Sequence, residues 1–241
     1  MYDYCRTDDS EPIIMTAKFV MPTSRQLQHP LLCQSCEDTL NKGGEHWLLP
    51  LLATIDKKFP LLDIIERVEP DLVDGTLRAY AASRNPDIEI NKLIHFAMGV
   101  FWKASIHSWE GGSKMPRIEL GLYREKLRAF LRAETPFPRN MGLVLGVSPR
   151  ERALVSISLP YQNPVREWHS FTFHVPGVLF VLNVGKKLGP DMPHICFATN
   201  PAHPLLVADL SQDIASVVRA VIGKAHKSKK LIQYMERKKQ P

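Results

Sequence analysis

The sequence predicts an α+β protein: a buried central helix packed on an antiparallel sheet, preceded by a small cysteine-bearing front end and followed by a basic helix. Three observations carry this. Apolar residues recur at helical spacing from Glu89 to Trp109, on so many sides that little of that helix is left for solvent. Between Met141 and Thr199 the pattern changes to short apolar or alternating runs divided by Pro, Gly and Asn, the mark of strands that follow one another after the helices. From Ser211 to Lys239 a helical stripe returns, Ile214, Val217, Val218, Val221 and Ile222, and its second half turns basic.

In chain order, Ile13-Ile14-Met15 and Lys18 to Met21 read as short strands, with a turn at Pro22-Thr23-Ser24. A helix is expected from Cys36–Glu37 to Asn41, stopped by Gly43-Gly44. Glu45 to Thr54 then reads as a second, very apolar helix, in which Pro50 is awkward because it has no N–H to donate. Phe59 to Val68 predicts a third short helix, and Asp74-Gly75 a turn within Asp71 to Tyr80. Asp87 is the expected N-cap of the central helix, since its carboxylate can accept from free N–H groups of the first turn. Tyr123 to Glu134 is a charged amphipathic helix with Leu127, Phe130 and Leu131 inward, ended by Pro136 and Pro138.

The strands expected next are Met141–Val147, Leu154–Leu159, Ser170–Val175, Val178–Val184 and Ile195–Thr199, with a last short one over Leu205–Leu210. The clean alternation of Ser170 to His174 predicts one buried face. The organisation expected is a front end over residues 1–70 and an α+β domain over 71–241. Within that domain lie the central helix 89–109, the sheet 141–199 and the basic helix 211–239.

The composition is that of a globular chain: 44% hydrophobic and 23% charged in 241 residues. Residues 1–12 hold four acids and no apolar core of a signal peptide, and no run of apolar residues is long enough to cross a membrane. Four cysteines without paired spacing make no disulfide framework, so a cytoplasmic protein with reduced thiols is expected. The net charge of +6 is unevenly placed. Residues 1–80 carry 8 Lys+Arg against 13 Asp+Glu, the remainder 23 against 12. In the tail, Lys227, Lys229, Lys230, Arg237, Lys238 and Lys239 are candidate phosphate contacts for nucleic acid; a solvated helix end is the alternative.

The motif with the most specific chemistry is Cys33-Gln34-Ser35-Cys36. A C-x-x-C turn can bring two thiolates to about 2.3 Å from one tetrahedral zinc, and a structural zinc needs two further ligands. Three readings stay open for Cys33 and Cys36. They bind zinc completed by Cys5, His29 or His46, they form a redox pair, or they are free thiols at a turn before a helix. A second candidate is the polar stripe of the central helix, Lys92, His95, Gly99, Lys103 and His107. It reads either as a cationic site or as the helix's one solvated edge. His194 lies two residues before Cys196 in a core-like run, which gives a Cys–His nucleophile little support. His169 and His174, five apart, fall on opposite faces of one strand. No Walker loop, dinucleotide glycine fingerprint or nucleophile elbow is present.

Leu32-Cys33-Gln34-Ser35-Cys36-Glu37, followed by Leu40-Asn41 and Glu45, resembles the second zinc knuckle of a treble-clef finger. More narrowly it resembles a group of bacterial proteins with an HNH-endonuclease-like front end. Tyr2 to Arg6, Leu49 to Phe59, Lys92 to Trp109 and Phe137 to Val147 are similar to that group as well. The resemblance implies a treble-clef-like remnant, a zinc on Cys33 and Cys36, and binding of nucleic acid or a protein partner. It also implies an earlier C-x-x-C and a Ser-His-Ile-Pro type motif; residues 1–32 hold neither, and their one histidine, His29, precedes Pro30. The chain therefore reads as starting after the first knuckle. No residue matches the histidine that activates water in HNH-like enzymes, so nuclease activity does not carry over. The rivals are a metal-free interaction protein that forms homo-oligomers through apolar Trp47 to Leu52, and an enzyme with a site near His95, Lys103 and His107.

Overall fold

The computed structural model describes residues 13–15, 20–22, 29–110, 114–115, 117–163, 168–189, 192–200 and 202–210. The expected basic helix 211–239, with its six candidate phosphate contacts, lies outside the described residues, as does Cys5.

The fold is α+β. Strands β1 (Ile13–Met15) and β2 (Val20–Pro22) form an antiparallel hairpin. After it, α1 (Gln34–Leu40) continues through a π-helical turn over Asn41–Glu45 into α2 (His46–Leu48) and a tight turn over Leu49–Leu51. Gly43-Gly44 was expected to stop the first helix and does not. A Cβ on Gly43 would strike the ring of His95, and one on Gly44 would sit 2.5 Å from the Lys92 carbonyl oxygen. The glycine pair is thus a flat on one helix that lets a second helix cross at close range. Pro50 falls in the final tight turn, where no interior helix bond is lost.

The remaining elements are α3 (Pro60–Ile65), β3 (Leu72–Asp74), β4 (Leu77–Ala81), the central α4 (Ile90–Ile106), the two-residue strands β5 (Trp109–Glu110) and β6 (Lys114–Met115), and α5 (Tyr123–Leu131). Then come β7 (Met141–Val147), β8 (Tyr161–Asn163), β9 (His169–Val175), β10 (Val178–Val184), α6 (Met192–Ile195) and β11 (Pro204–Val207). Asp87 does not cap α4. Its carboxylate pairs with Arg67, and Glu89 occupies the cap position without a side-chain bond.

Among the described residues, seven strands form the main sheet in the order β3-β4-β11-β7-β10-β9-β8. Every pairing is antiparallel except β11 with β7. The sheet therefore reaches beyond 141–199 at both ends, taking in the 72–81 hairpin and β11. Two expected strands are absent. Leu154–Leu159 is irregular, although the Ser158 N–H still donates to the His174 carbonyl at 3.0 Å along the edge of β9. Ile195–Thr199 is the end of α6 and a turn. Cys196 packs there in the core, and its sulfur accepts the Leu143 N–H at 3.2 Å, a donor that β11 is too short to reach.

The core lies between the sheet and α4. Phe96 stands 6.1 and 5.7 Å from the rings of Phe173 and Phe180, which stack on each other at 4.9 Å across paired strands. Phe101 meets Phe173 edge-on. The other face of β9 is covered too, contrary to the one-sided burial expected. Ser170, Thr172 and His174 are buried because Asn163 donates to both hydroxyl groups and Ser156 bonds His174 at 2.9 Å. Leu40, Leu48, Leu52 and Phe59 of the front end join the same core as Leu93 and Phe101 of α4. Trp47, Leu49 and Leu51 pack against it, so the apolar 47–52 segment faces inward.

Candidate metal centre

Cys33 sits at the N-cap of α1 with extended backbone angles, and Cys36 falls in the first turn of the helix. Both thiols are exposed. Cys33 Sγ lies 3.2 Å from Ser35 Oγ. Hydrogen bonds from the Ser35 hydroxyl, and next from the Cys36 N–H, lower the Cys33 thiol to about 7. Its neighbour moves the opposite way: the bond to Cys33 and the negative charge forming there raise Cys36, against a smaller pull from Arg132. Ionisation of Cys33 thus holds the proton on Cys36, and a soft dication binding both sulfurs would displace both protons. Two thiolates fit half of a tetrahedral zinc shell.

The other half is not assembled. Among the described residues no three His, Cys, Asp or Glu side chains gather as a metal site. His46 was a candidate third ligand. It lies ten residues up a continuous helix from Cys36, roughly 15 Å along the axis, and it is exposed there. A ligand for Cys33 and Cys36 cannot come from that distance.

The stripe of α4 is divided among separate partners and does not converge. Lys92 pairs with Glu89. His95 packs on Gly43 with Nε2 3.3 Å from the Leu131 carbonyl, and burial lowers its pKa. Its Nδ1 is buried without a hydrogen bond. Lys103 Nζ bridges Glu45 at 2.9 Å and Glu37 at 3.3 Å. The ring of His107 lies 4.0 Å from that of His29. The stripe is the seam between α4, the front helix and α5, and neither a solvated edge nor an open cationic pocket. A cavity of about 150 Å³ lies elsewhere, between Thr54, Lys57, Phe59 and Arg150; Arg150 is engaged there by Asp63 and the Lys57 carbonyl.

His194 is exposed and Cys196 buried, so they share no face and form no nucleophile pair. His169 is exposed and His174 buried on β9, on opposite faces as their spacing requires. The contact between His29 and His107 is the feature sequence reading missed, because each was assigned to a different candidate. No helix among the described residues is long and apolar enough to cross a membrane. Comparison with protein-family models, with curated proteins and with solved structures finds no match.

Proposed function

We propose that the chain is a treble-clef-derived, HNH-like protein that binds nucleic acid, with a zinc held by Cys33 and Cys36 bracing its front end. The observation that carries this is the pair of exposed thiols two residues apart at the head of α1, the first of them lowered to about 7 by hydrogen bonds. One more feature supports it. A short hairpin, β1–β2, precedes the C-x-x-C-headed helix, which is the element order of a treble clef after its first knuckle. Arg132, just after α5, pulls weakly on the charge of Cys36 while pairing with Glu134 at 2.7 Å. Association through Trp47–Leu52 has less support, since Leu48 and Leu52 are fully buried within the chain.

The test is zinc per chain on protein purified under reducing conditions, followed by duplex-DNA binding by fluorescence anisotropy across a salt series. About one zinc, absent from Cys33→Ser/Cys36→Ser, is expected. DNA affinity should fall steeply with salt, about 10³-fold between 50 and 200 mM if six phosphates are contacted. A metal-free wild-type protein, or binding indifferent to salt, overturns the reading.

A further inference from the structure

We propose that Cys33 and Cys36 are a thiol–disulfide exchange site, which a low-molecular-weight disulfide converts to an internal Cys33–Cys36 disulfide. This goes beyond the zinc reading above. It concerns the same two sulfurs in the metal-free chain, and two sulfurs suffice for it.

The head of α1 brings the two residues into bonding range. The Glu37 N–H donates to the Cys33 carbonyl at 3.0 Å, so the helical ladder already starts at Cys33. Residues three apart on such a ladder have Cα atoms about 5 Å apart, inside the window of about 4.4–6.8 Å that a disulfide spans. Cys33 has ψ 160°, far from the helical value. That angle turns an N-cap side chain over the second and third residues of its helix. Those residues are Ser35 and Cys36, and Cys33 Sγ does lie 3.2 Å from Ser35 Oγ. The two sulfurs can therefore join by side-chain torsions, with α1 left in place.

Access is open. Cys33, Gln34, Ser35 and Cys36 are all exposed, between half-buried Leu32 and Glu37. Gln34 is held by Asp38 at 2.8 Å and does not cover the thiols. Cys196, the other described thiol, is buried against the Leu143 N–H, where a small disulfide does not reach it.

The Cys33 thiolate attacks one sulfur of the small disulfide, and the Ser35 hydroxyl donates to that thiolate beforehand. The small S–S bond breaks, a mixed disulfide forms on Cys33, and the departing thiolate takes up the proton that Cys33 gave up. Cys36 then loses its proton and attacks the Cys33 sulfur. The mixed S–S bond breaks, and a second small thiol leaves with that proton. The two protein thiols give up two electrons, and one small disulfide is reduced to two thiols.

The experiment incubates reduced, chelator-treated full chain with oxidised glutathione, quenches in acid, alkylates, and maps the peptides by mass. The expected product is a Cys33–Cys36 disulfide, lighter by two hydrogens, with Cys196 still a thiol. Cys36→Ser should stop at a glutathione adduct on Cys33, because the resolving sulfur is gone. Both side chains are exposed, so the serine variant keeps the core intact. Adducts on both cysteines without an internal bond, thiols that stay reduced, or a bond from either one to Cys5 or to a second chain overturns the proposal. A parallel sample with added zinc separates the two readings. An internal disulfide that forms equally with and without zinc supports this proposal and refutes the zinc reading. Zinc binding by a chain that yields only adducts once stripped refutes this proposal and leaves the zinc reading standing.

Discussion

Replacing Gly44 by alanine sets two contributions against each other. In a helix, alanine in place of glycine is worth up to about 1 kcal/mol, because the unfolded chain has less freedom to lose. At Gly44 the new methyl would lie 2.5 Å from the Lys92 carbonyl oxygen, 2.7 Å from the Phe96 nitrogen and 2.8 Å from the Phe96 Cβ. The first two are backbone atoms inside α4 and cannot rotate away, so the helices must separate. Overpacking of this kind costs about 1–3 kcal/mol. A net loss of about 1–2 kcal/mol is expected, which at about 2–4 °C per kcal/mol lowers Tm by about 2–8 °C. Gly99→Ala is the matched control. There the nearest atom is Leu40 Cδ2 at 3.6 Å, an ordinary contact, and the propensity gain should survive. Thermal and urea unfolding of both variants, with equal m-values, gives the comparison. If Gly44→Ala melts at or above wild type, the close crossing of the two helices is refuted.

Two further outcomes are expected. Burial lowers His174 from its ordinary 6.5 to about 4. Below pH 6.5 the unfolded chain takes up a proton that the folded one refuses until about pH 4, so stability is lost as pH falls through that window. The loss is about 3 kcal/mol at 1.36 kcal/mol per unit. Urea unfolding at pH 7 and pH 4.5 should show a smaller difference in His174→Gln than in wild type, and equal differences would count against this assignment. For the thiols, peptide mapping after brief alkylation should find Cys33 modified first, with a rate rising through about pH 7, and Cys196 untouched until the chain unfolds. Zinc added beforehand should protect Cys33; reaction of Cys196 as fast as Cys33 would contradict its burial.

The parts of the fold that follow from local pattern were legible. Leu93, Ile94, Ala97, Phe101 and Ala104, chosen by spacing alone, are all buried on α4. β7 and β10 occupy the bounds that their apolar runs predict. What escaped depends on contacts distant in sequence. Gly43-Gly44 reads as a stop until His95 and Phe96 are seen against it. Asp87 reads as a cap until Arg67 takes its carboxylate. Ser170, Thr172 and His174 read as a solvated face until Asn163 and Ser156 cover them. At the candidate site the spacing of Cys33 and Cys36 is visible in the chain, whereas the meeting of His29, before α1, with His107, just after α4, is a contact between residues far apart in sequence.

The position of β11 has a consequence for how the protein is made. It lies between β4 and β7, so Tyr80 pairs with Leu205, and among the described residues no earlier strand joins the 72–81 hairpin to the rest of the sheet. On the ribosome, β3–β4 and β7–β10 emerge long before the strand that unites them. Each must wait with an open edge, exposed to wrong partners. Closure of this long loop is a slow, entropy-limited step. A chain broken off before Pro204 would lose the link between the halves along with the strand itself, and chaperone dependence should concentrate in that interval of synthesis.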